Sequence, residues 1–304
     1  MDSQKQIAAL KRSRNALILA HYYQPMEVQE VADVVGDSFE MARRAAQTEA
    51  DVLVVCGVRF MAESAKLLSP EKTVLLPAPD AGCPMADMIT PEEVAALRLR
   101  YPDAAVMCYV NSSAAVKAAC DICCTSSSAV RVARSLPERR IIFVPDKNLG
   151  AYVAGQVPEK EFILFEGYCP VHHELREADV LALRAEHPDA VLLVHPECRP
   201  EVVRNADVVG STSMILEHAL RTDAAAYLIG TEMGVVERIR ALAPGKNVWP
   251  AGPGMSCMTC ADMKKTTLKD VVCALETLTP AVELPERGAE AAARTLLRMV
   301  EVSA

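Results

Sequence analysis

The sequence predicts an α/β fold of three pseudo-threefold-related units, each with a small parallel sheet, gathered about one central cavity. Three observations predict it. Short aliphatic runs alternate with amphipathic segments, the order of a parallel sheet with helical crossovers. Hydrophobic residues make up 51% of the chain but aromatics only 4%, which suits Val/Ile/Leu strands buried on both faces. The chain also repeats itself. The strand-end residues His21, Tyr109 and His195 stand 88 and 86 residues apart. Each is followed two residues later by a polar side chain (Tyr23, Asn111, Glu197) and 17 residues later by a hydroxyl (Ser38, Ser126, Thr212). A period of this length marks repeated structural units.

In the first unit, 16–20 reads as a buried strand ending at His21, and 27–35 as an amphipathic helix. Gly36-Asp37-Ser38-Phe39-Glu40 reads as a turn into a helix running to Thr48, with Asp37 and Glu40 at capping-box spacing. A strand at 51–56, a helix at 59–68 and a strand at 73–76 then lead to the loop of Cys83. The second unit repeats the order: a strand at 105–108, a helix start at Ser126, strands at 141–144 and 162–165, then Cys169. The third has a strand at 191–194, a helix start near Thr212, a strand at 226–229 and the loop 252–260. Right-handed crossovers bring the strand C-terminal ends to one side, where ligands of such sheets bind. The units are expected at 1–84, 85–170 and 171–265. A helical tail, 266–304, packs back on the body, with helices at 268–278 and 287–302 interrupted by Pro280 and Pro285.

Net charge is −8 with both signs mixed along the chain, and no basic stripe or arm marks a nucleic-acid partner. The N-terminus is charged, and no apolar run has signal-peptide or membrane-spanning length. The expectation is a cytoplasmic protein with no membrane contact. Eleven cysteines in a compartment where stable disulfides are uncommon point to metal or redox chemistry. Cys56, Cys108, Cys198 and Cys273 lie in or beside apolar segments and read as small buried hydrophobes.

Cys83 and Cys169 are 86 residues apart, each followed by Pro on a Gly-containing loop after a strand. Cys257 or Cys260 takes the third place. Zinc sites draw ligands in close pairs, whereas three dispersed cysteines suit an iron–sulfur cluster with one iron left open. Such an iron is a Lewis acid that eases loss of water. Three other groupings compete. Cys120-Asp-Ile-Cys123-Cys124 lies just before a helix and lacks a partner pair. Cys257-Met-Thr-Cys260 has redox-motif spacing. His172 and His173 offer zinc ligands, or one of them lines the cavity beside Cys169. Ser38, Ser126 and Thr212 each suit an N-cap, yet converging helix N-termini also form an anion site without Lys or Arg. A small substrate with several negative groups is the expectation.

Longer motifs complete the reading: Ala20-His-Tyr-Tyr-Gln-Pro25, Gly36-Asp-Ser38, Asp80-Ala-Gly-Cys83-Pro-Met-Ala-Asp87, Tyr109-Val-Asn111, Cys124-Thr-Ser-Ser127, Pro145-Asp-Lys-Asn-Leu-Gly150, Cys169-Pro-Val-His172, His195-Pro-Glu197, Gly210-Ser-Thr-Ser213, Gly230-Thr-Glu232 and Cys260-Ala-Asp-Met-Lys264. On these residues the chain resembles the quinolinate synthase A family over essentially its whole length. The resemblance implies three pseudo-symmetric three-layer αβα domains around a [4Fe–4S] cluster with three cysteine ligands. It implies a transferase of NAD biosynthesis that condenses iminoaspartate (iminosuccinate) with dihydroxyacetone phosphate to quinolinate, releasing phosphate and two waters. Partners would be these small molecules, with a transient contact to the enzyme that makes iminoaspartate.

By the same resemblance His21, Ser38, Tyr109, Val110, Asn111, Ser126, His172, His195, Pro196, Glu197 and Thr212 contact substrate. Glu197 is the expected general acid/base, its pKa raised in a dry cavity, and Tyr23 and Tyr109 relay protons or hold the triose. The third ligand divides the signals. Cys257 follows its leader by 62 residues, as Cys83 does, while the family's flanking Met and Lys favour Cys260. The assignment is Cys83, Cys169 and Cys260, with a Cys257–Cys260 disulfide as a regulatory hypothesis. Rival functions are another [4Fe–4S] hydro-lyase acting on a small hydroxy acid and a cluster-bearing redox sensor.

Overall fold

The computed structural model describes residues 3–252, 258–285 and 287–303. Among them twelve strands form three separate parallel sheets. The first holds β1 (Ala16–His21), β2 (Val34–Gly36), β3 (Val52–Cys56) and β4 (Thr73–Leu75). The second holds β5 (Ala104–Tyr109), β6 (Ile122–Cys124), β7 (Arg140–Val144) and β8 (Glu161–Leu164). The third holds β9 (Val191–Val194), β10 (Val208–Val209), β11 (Ala226–Gly230) and β12 (Asn247–Pro250). Their orders, β2-β1-β3-β4, β6-β5-β7-β8 and β10-β9-β11-β12, are one topology written three times. The fold is α/β with three αβα units, as the repeat predicts.

Four strands escaped the sequence reading: β12 and the edge strands β2, β6 and β10. The helix expected over 27–35 ends at Val31, and Val34–Gly36 pairs instead with Leu19–His21. Edges of two or three residues are too short to display alternation. A single aspartate registers each of them. Asp33, Asp121 and Asp207 accept the backbone N–H of Ile18, Val106 and Leu192 at 2.8, 2.7 and 2.8 Å. Their own N–H groups donate back to the same three residues' carbonyls at 2.9, 2.9 and 3.0 Å. Lys11, Arg98 and Arg184 reach these carboxylates at 2.5, 2.8 and 3.1 Å, partly exposed pairs that add little beside the backbone bonds. The signal was in the sequence, since Ala32-Asp-Val-Val-Gly36 recurs unchanged at 206–210. The middle copy is Cys120-Asp-Ile-Cys-Cys124. Cys123 and Cys124 of that group therefore lie in a buried edge strand, five residues ahead of the helix Ala129–Ser135.

Alternation along β1 and β3 shows the layering. Ile18, Ala20, Val52, Val54 and Cys56 pack with Ile7, Val271 and Leu275, while Leu19, Leu53 and Val55 face the opposite way into the large common core. The outer layer of the first unit is thus the helices Ser3–Ser13 and Leu268–Thr277, which pack on each other. Residues from the far end of the chain complete its sandwich. Each fully buried Leu or Ile there contributes about 1.5–3 kcal/mol. The helix Ala289–Ser303 lies against β6 and the helix Ala114–Ala118, where Thr295 Oγ1 meets Cys123 Sγ at 3.1 Å. Cys273 corrects one expectation. It is exposed, on the helix side away from buried Val271, Ala274 and Leu275. No helix among the described residues is long and apolar enough to cross a membrane.

Candidate active site

A cavity of about 680 Å³, solvent at its mouth included, opens off the C-terminal ends of β1, β5 and β9. Parallel strands deliver their last residues to one side, so His21, Tyr109 and His195 all line it, as do Tyr23, Asn111 and Glu197 two residues on. Ser38, Ser126, Thr212, His172, Cys83, Cys169 and Cys260 join them. Val110 and Pro196 are buried but do not line the cavity. Val110 instead borders a smaller void of about 260 Å³ beside Phe60 and Met61. Cys257, and with it the hypothesised disulfide, lies outside the described residues. Sequence reasoning missed the apolar wall of Val58, Phe60, Met61 and Met85, and the two carboxylates Asp37 and Glu232.

One hydrogen-bonded network crosses the floor. Tyr109 Oη donates to Glu197 Oε1 at 2.5 Å, and His172 Nδ1 stands 2.7 Å from Glu197 Oε2. The other nitrogen, His172 Nε2, is 2.9 Å from Thr231 Oγ1. Thr231 Oγ1 is in turn 2.9 Å from Tyr23 Oη, which is 2.9 Å from Thr212 Oγ1. His172 also stacks on His195, with ring centroids 4.7 Å apart. Thr231 is fully buried and drew no notice in the sequence beyond its place in a motif. His173 turns away, its Nδ1 3.0 Å from Asn148 Nδ2 and its ring on Tyr168.

Charge on Glu197 runs against expectation. Burial by itself raises its carboxyl, but the pull of His172 and the hydrogen bonds from His172 and Tyr109 outweigh burial and hold it below the usual carboxylate range. Glu197 is therefore ionised, poised to accept a proton rather than to give one. His21 and His195 are each lowered to about 3, chiefly by burial. Their Nδ1 atoms accept the backbone N–H of Tyr23 and Glu197 at 3.2 and 3.3 Å. A neutral imidazole that accepts at Nδ1 carries its proton on Nε2, so both rings keep one N–H free to donate.

The expected helix N-termini are differently arranged. The helix Ser38–Gln47 is capped by Asp37, whose carboxylate accepts the N–H of Phe39 and Glu40. That is half a capping box, because Glu40 pairs with Arg43 instead. The helix Thr212–Arg221 is capped by Ser211, and the helix Ala129–Ser135 begins three residues after Ser126. The three hydroxyls are not caps. Two of the termini are already served by side chains, one of them anionic, which weakens the anion-site reading. Asp37 Oδ2 also accepts from Ser213 Oγ at 2.7 Å, joining two units at the rim.

Each of the three cysteines precedes a short helical turn, Ala86–Met88, Pro170–His173 or Asp262–Lys264. Nearby backbone N–H groups favour each thiolate, those of Ala86 and Met85 for Cys83, His172 for Cys169, and Met263 and Asp262 for Cys260, and His172 Nδ1 stands 3.2 Å from Cys169 Sγ. Burial nonetheless pushes all three thiols up, Cys83 to about 12. Thiols so placed stay protonated until a cation compensates the charge, which is the behaviour of a metal-binding set. The residues present therefore fit a metal centre with three thiolate ligands. Cys169, His172 and Glu197 form a second ligand-competent trio, with donor atoms within 4.8 Å of one another. In that trio His172 and Glu197 already satisfy each other.

Comparison with known proteins is consistent along the whole chain. Residues 5–301 match the family model described as quinolinate synthetase A protein. The quinolinate synthase of Caldicellulosiruptor saccharolyticus is 51% identical over 306 residues, covering 100% of both chains. Those of Alkaliphilus metalliredigens and Geobacter metallireducens are each 50% identical, covering 98% of this chain and 97% of the relative.

Proposed function

Since the chain belongs to the quinolinate synthetase A family, we propose that its cavity is the active site of a quinolinate synthase of NAD biosynthesis, working in the cytoplasm. The reaction joins iminoaspartate to dihydroxyacetone phosphate and releases phosphate and two waters. One observation carries this reading: Cys83, Cys169 and Cys260 reach a single cavity from three loops and stand there beside Glu197, Tyr109 and His172. A [4Fe–4S] cluster held by those thiolates supplies, when bound, a Lewis-acidic iron with a free position.

Side chains do the rest. Ionised Glu197 takes a proton from substrate carbon, its two oxygens held by Tyr109 and His172. Those same donors return protons to a departing hydroxyl. The Nε2–H groups of His21 and His195 bind substrate carboxylate without introducing a second buried charge. Asn111 Oδ1 is buried and accepts no hydrogen bond from the described residues, so it awaits an N–H or O–H of the substrate. The wall of Val58, Phe60 and Met61 keeps water out, which strengthens each of these contacts. Transient docking to the enzyme that makes iminoaspartate would shorten the exposure of a hydrolysable imine to water.

The test is anaerobic reconstitution with iron and sulfide, followed by both substrates. Quinolinate and phosphate are expected in equal amounts. Iron-loaded protein that forms neither, or that dehydrates a hydroxy acid instead, overturns the reading.

A further inference from the structure

Asp146 and Glu232 hold the same place in consecutive repeats, 86 residues apart. Each stands immediately ahead of a helix, Lys147–Gln156 or Met233–Leu242, and each is fully buried. Each also divides its two oxygens between that helix and a cavity cysteine. Asp146 Oδ1 accepts from the N–H of Asn148 and Leu149 at 2.8 and 2.9 Å, while Oδ2 accepts from Cys169 N–H at 3.2 Å. Glu232 Oε2 accepts from Gly234 N–H at 2.7 Å, while Oε1 accepts from Cys260 N–H at 3.2 Å. Lys264 Nζ sits 3.0 Å from Oε1.

The first repeat breaks the pattern. Its residue in this place, 88 before Asp146, is Val58, which has no oxygen to offer. The Cys83 loop finds its acceptor across the interface, where Gly82 N–H donates to Asp262 Oδ1 at 3.1 Å. Lys265 bridges Asp262 and Asp80 at 2.8 and 3.3 Å. Asp262 lies two residues beyond Cys260, on the loop that Glu232 holds.

We propose that Asp146 and Glu232 are positioning residues for the cysteine centre and act in a fixed order of dependence: Asp146 holds Cys169 alone, whereas Glu232 holds Cys260 and, through Asp262, Cys83. The inference deepens the cluster reading and rests on the three cysteines being ligands. A helix cap needs one oxygen, and Ser or Asn supplies it as well. The second oxygen in both carboxylates is what reaches the cysteine backbone. Partners beyond the ligands fix ligand orientation and account for much of metal affinity.

Amide hydrogen exchange of the metal-free full chain, read by mass spectrometry, tests this without iron. In Asp146→Asn two N–H groups retain the cap oxygen, so the amide nitrogen faces the Cys169 N–H. Exchange around Cys169 is expected to quicken roughly tenfold or more, with segments 80–83 and 258–263 and the helix Lys147–Gln156 unchanged. Glu232→Ala is expected to quicken 258–263 and 80–83 together. Asp262→Ala, at a partly exposed site, quickens 80–83 alone. An unchanged Cys169 segment in Asp146→Asn, or a native 80–83 segment in Glu232→Ala, overturns the proposal. If Glu232→Ala does not fold, Asp262→Ala with a native 80–83 segment overturns it equally. Iron retention against a chelator is then compared in reconstituted protein, where Asp146→Asn is expected to lose iron several-fold faster. A native chain that takes up no iron refutes the cluster reading alone and leaves the exchange hierarchy to be judged by itself.

Discussion

Tyr109 and Glu197, 88 residues apart in the chain, share a 2.5 Å hydrogen bond between phenol and carboxylate. The bond joins the second unit to the third on the cavity floor. Glu197→Gln removes the charge and turns an N–H towards either Tyr109 or His172, so kcat for quinolinate formation is expected to fall roughly 100-fold or more. Thermal stability should fall somewhat, because the fold favours the ionised carboxylate and the amide sets a donor against one of its partners. A variant retaining more than a tenth of native kcat, at unchanged folding, contradicts the assigned base.

Thr231 is the link between His172 and Tyr23, whose ring centroids lie 6.4 Å apart. Thr231→Val keeps the shape and removes the oxygen. We expect kcat to drop about tenfold with KM little altered, and Thr231→Ser to recover most of the loss. Equal losses in both variants would instead mean that the methyl packing mattered.

The ligand assignment divides the cysteines sharply. Serine at 83, 169 or 260 is expected to abolish four-iron loading, measured as iron per chain and by visible absorbance, whereas Cys198→Ser, Cys273→Ser and Cys257→Ser load fully. Full loading of Cys260→Ser together with empty Cys257→Ser would transfer the third position to Cys257.

Acid stability reports on two buried imidazoles. His21 and His195 bind protons only near pH 3 when folded but near 6.5 when unfolded, because burial penalises the cation. Their contribution is complete above pH 6.5 and is lost as pH falls from 6.5 towards 3. Each group adds a slope of up to about 1.4 kcal/mol per pH unit in that window. Denaturant midpoints of the metal-free chain should decline accordingly, and His21→Gln with His195→Gln should flatten the decline. A native midpoint constant between pH 6.5 and 4 contradicts this.

The repeat made most of this legible. A constant interval between polar residues after aliphatic runs located His21, Tyr109, His195, Cys83 and Cys169, because a parallel sheet converts phase along the chain into position at one edge. For the third cysteine the interval pointed to Cys257, and only the flanking Met263 and Lys264 pointed to Cys260. Short edges were hidden by their length, although the duplicated Ala-Asp-Val-Val-Gly was there to be read. The charge state of Glu197 was not legible, since it depends on Tyr109, from the second unit, and on His172, which meets it only in the folded chain. Thr231 and Glu232 were hidden for the same reason: their partners Tyr23, His172 and Lys264 are neighbours only in space.

Val58, opposite in character to Asp146 and Glu232, shows what joining three sectors in one polypeptide permits. A ring of identical subunits would carry the same residue at all three places, and its centre could differ in no direction. Here each sector is free to drift separately, one towards oil and two towards acid. A ligand with no rotational symmetry of its own then meets walls that are not interchangeable, and has one way to lie.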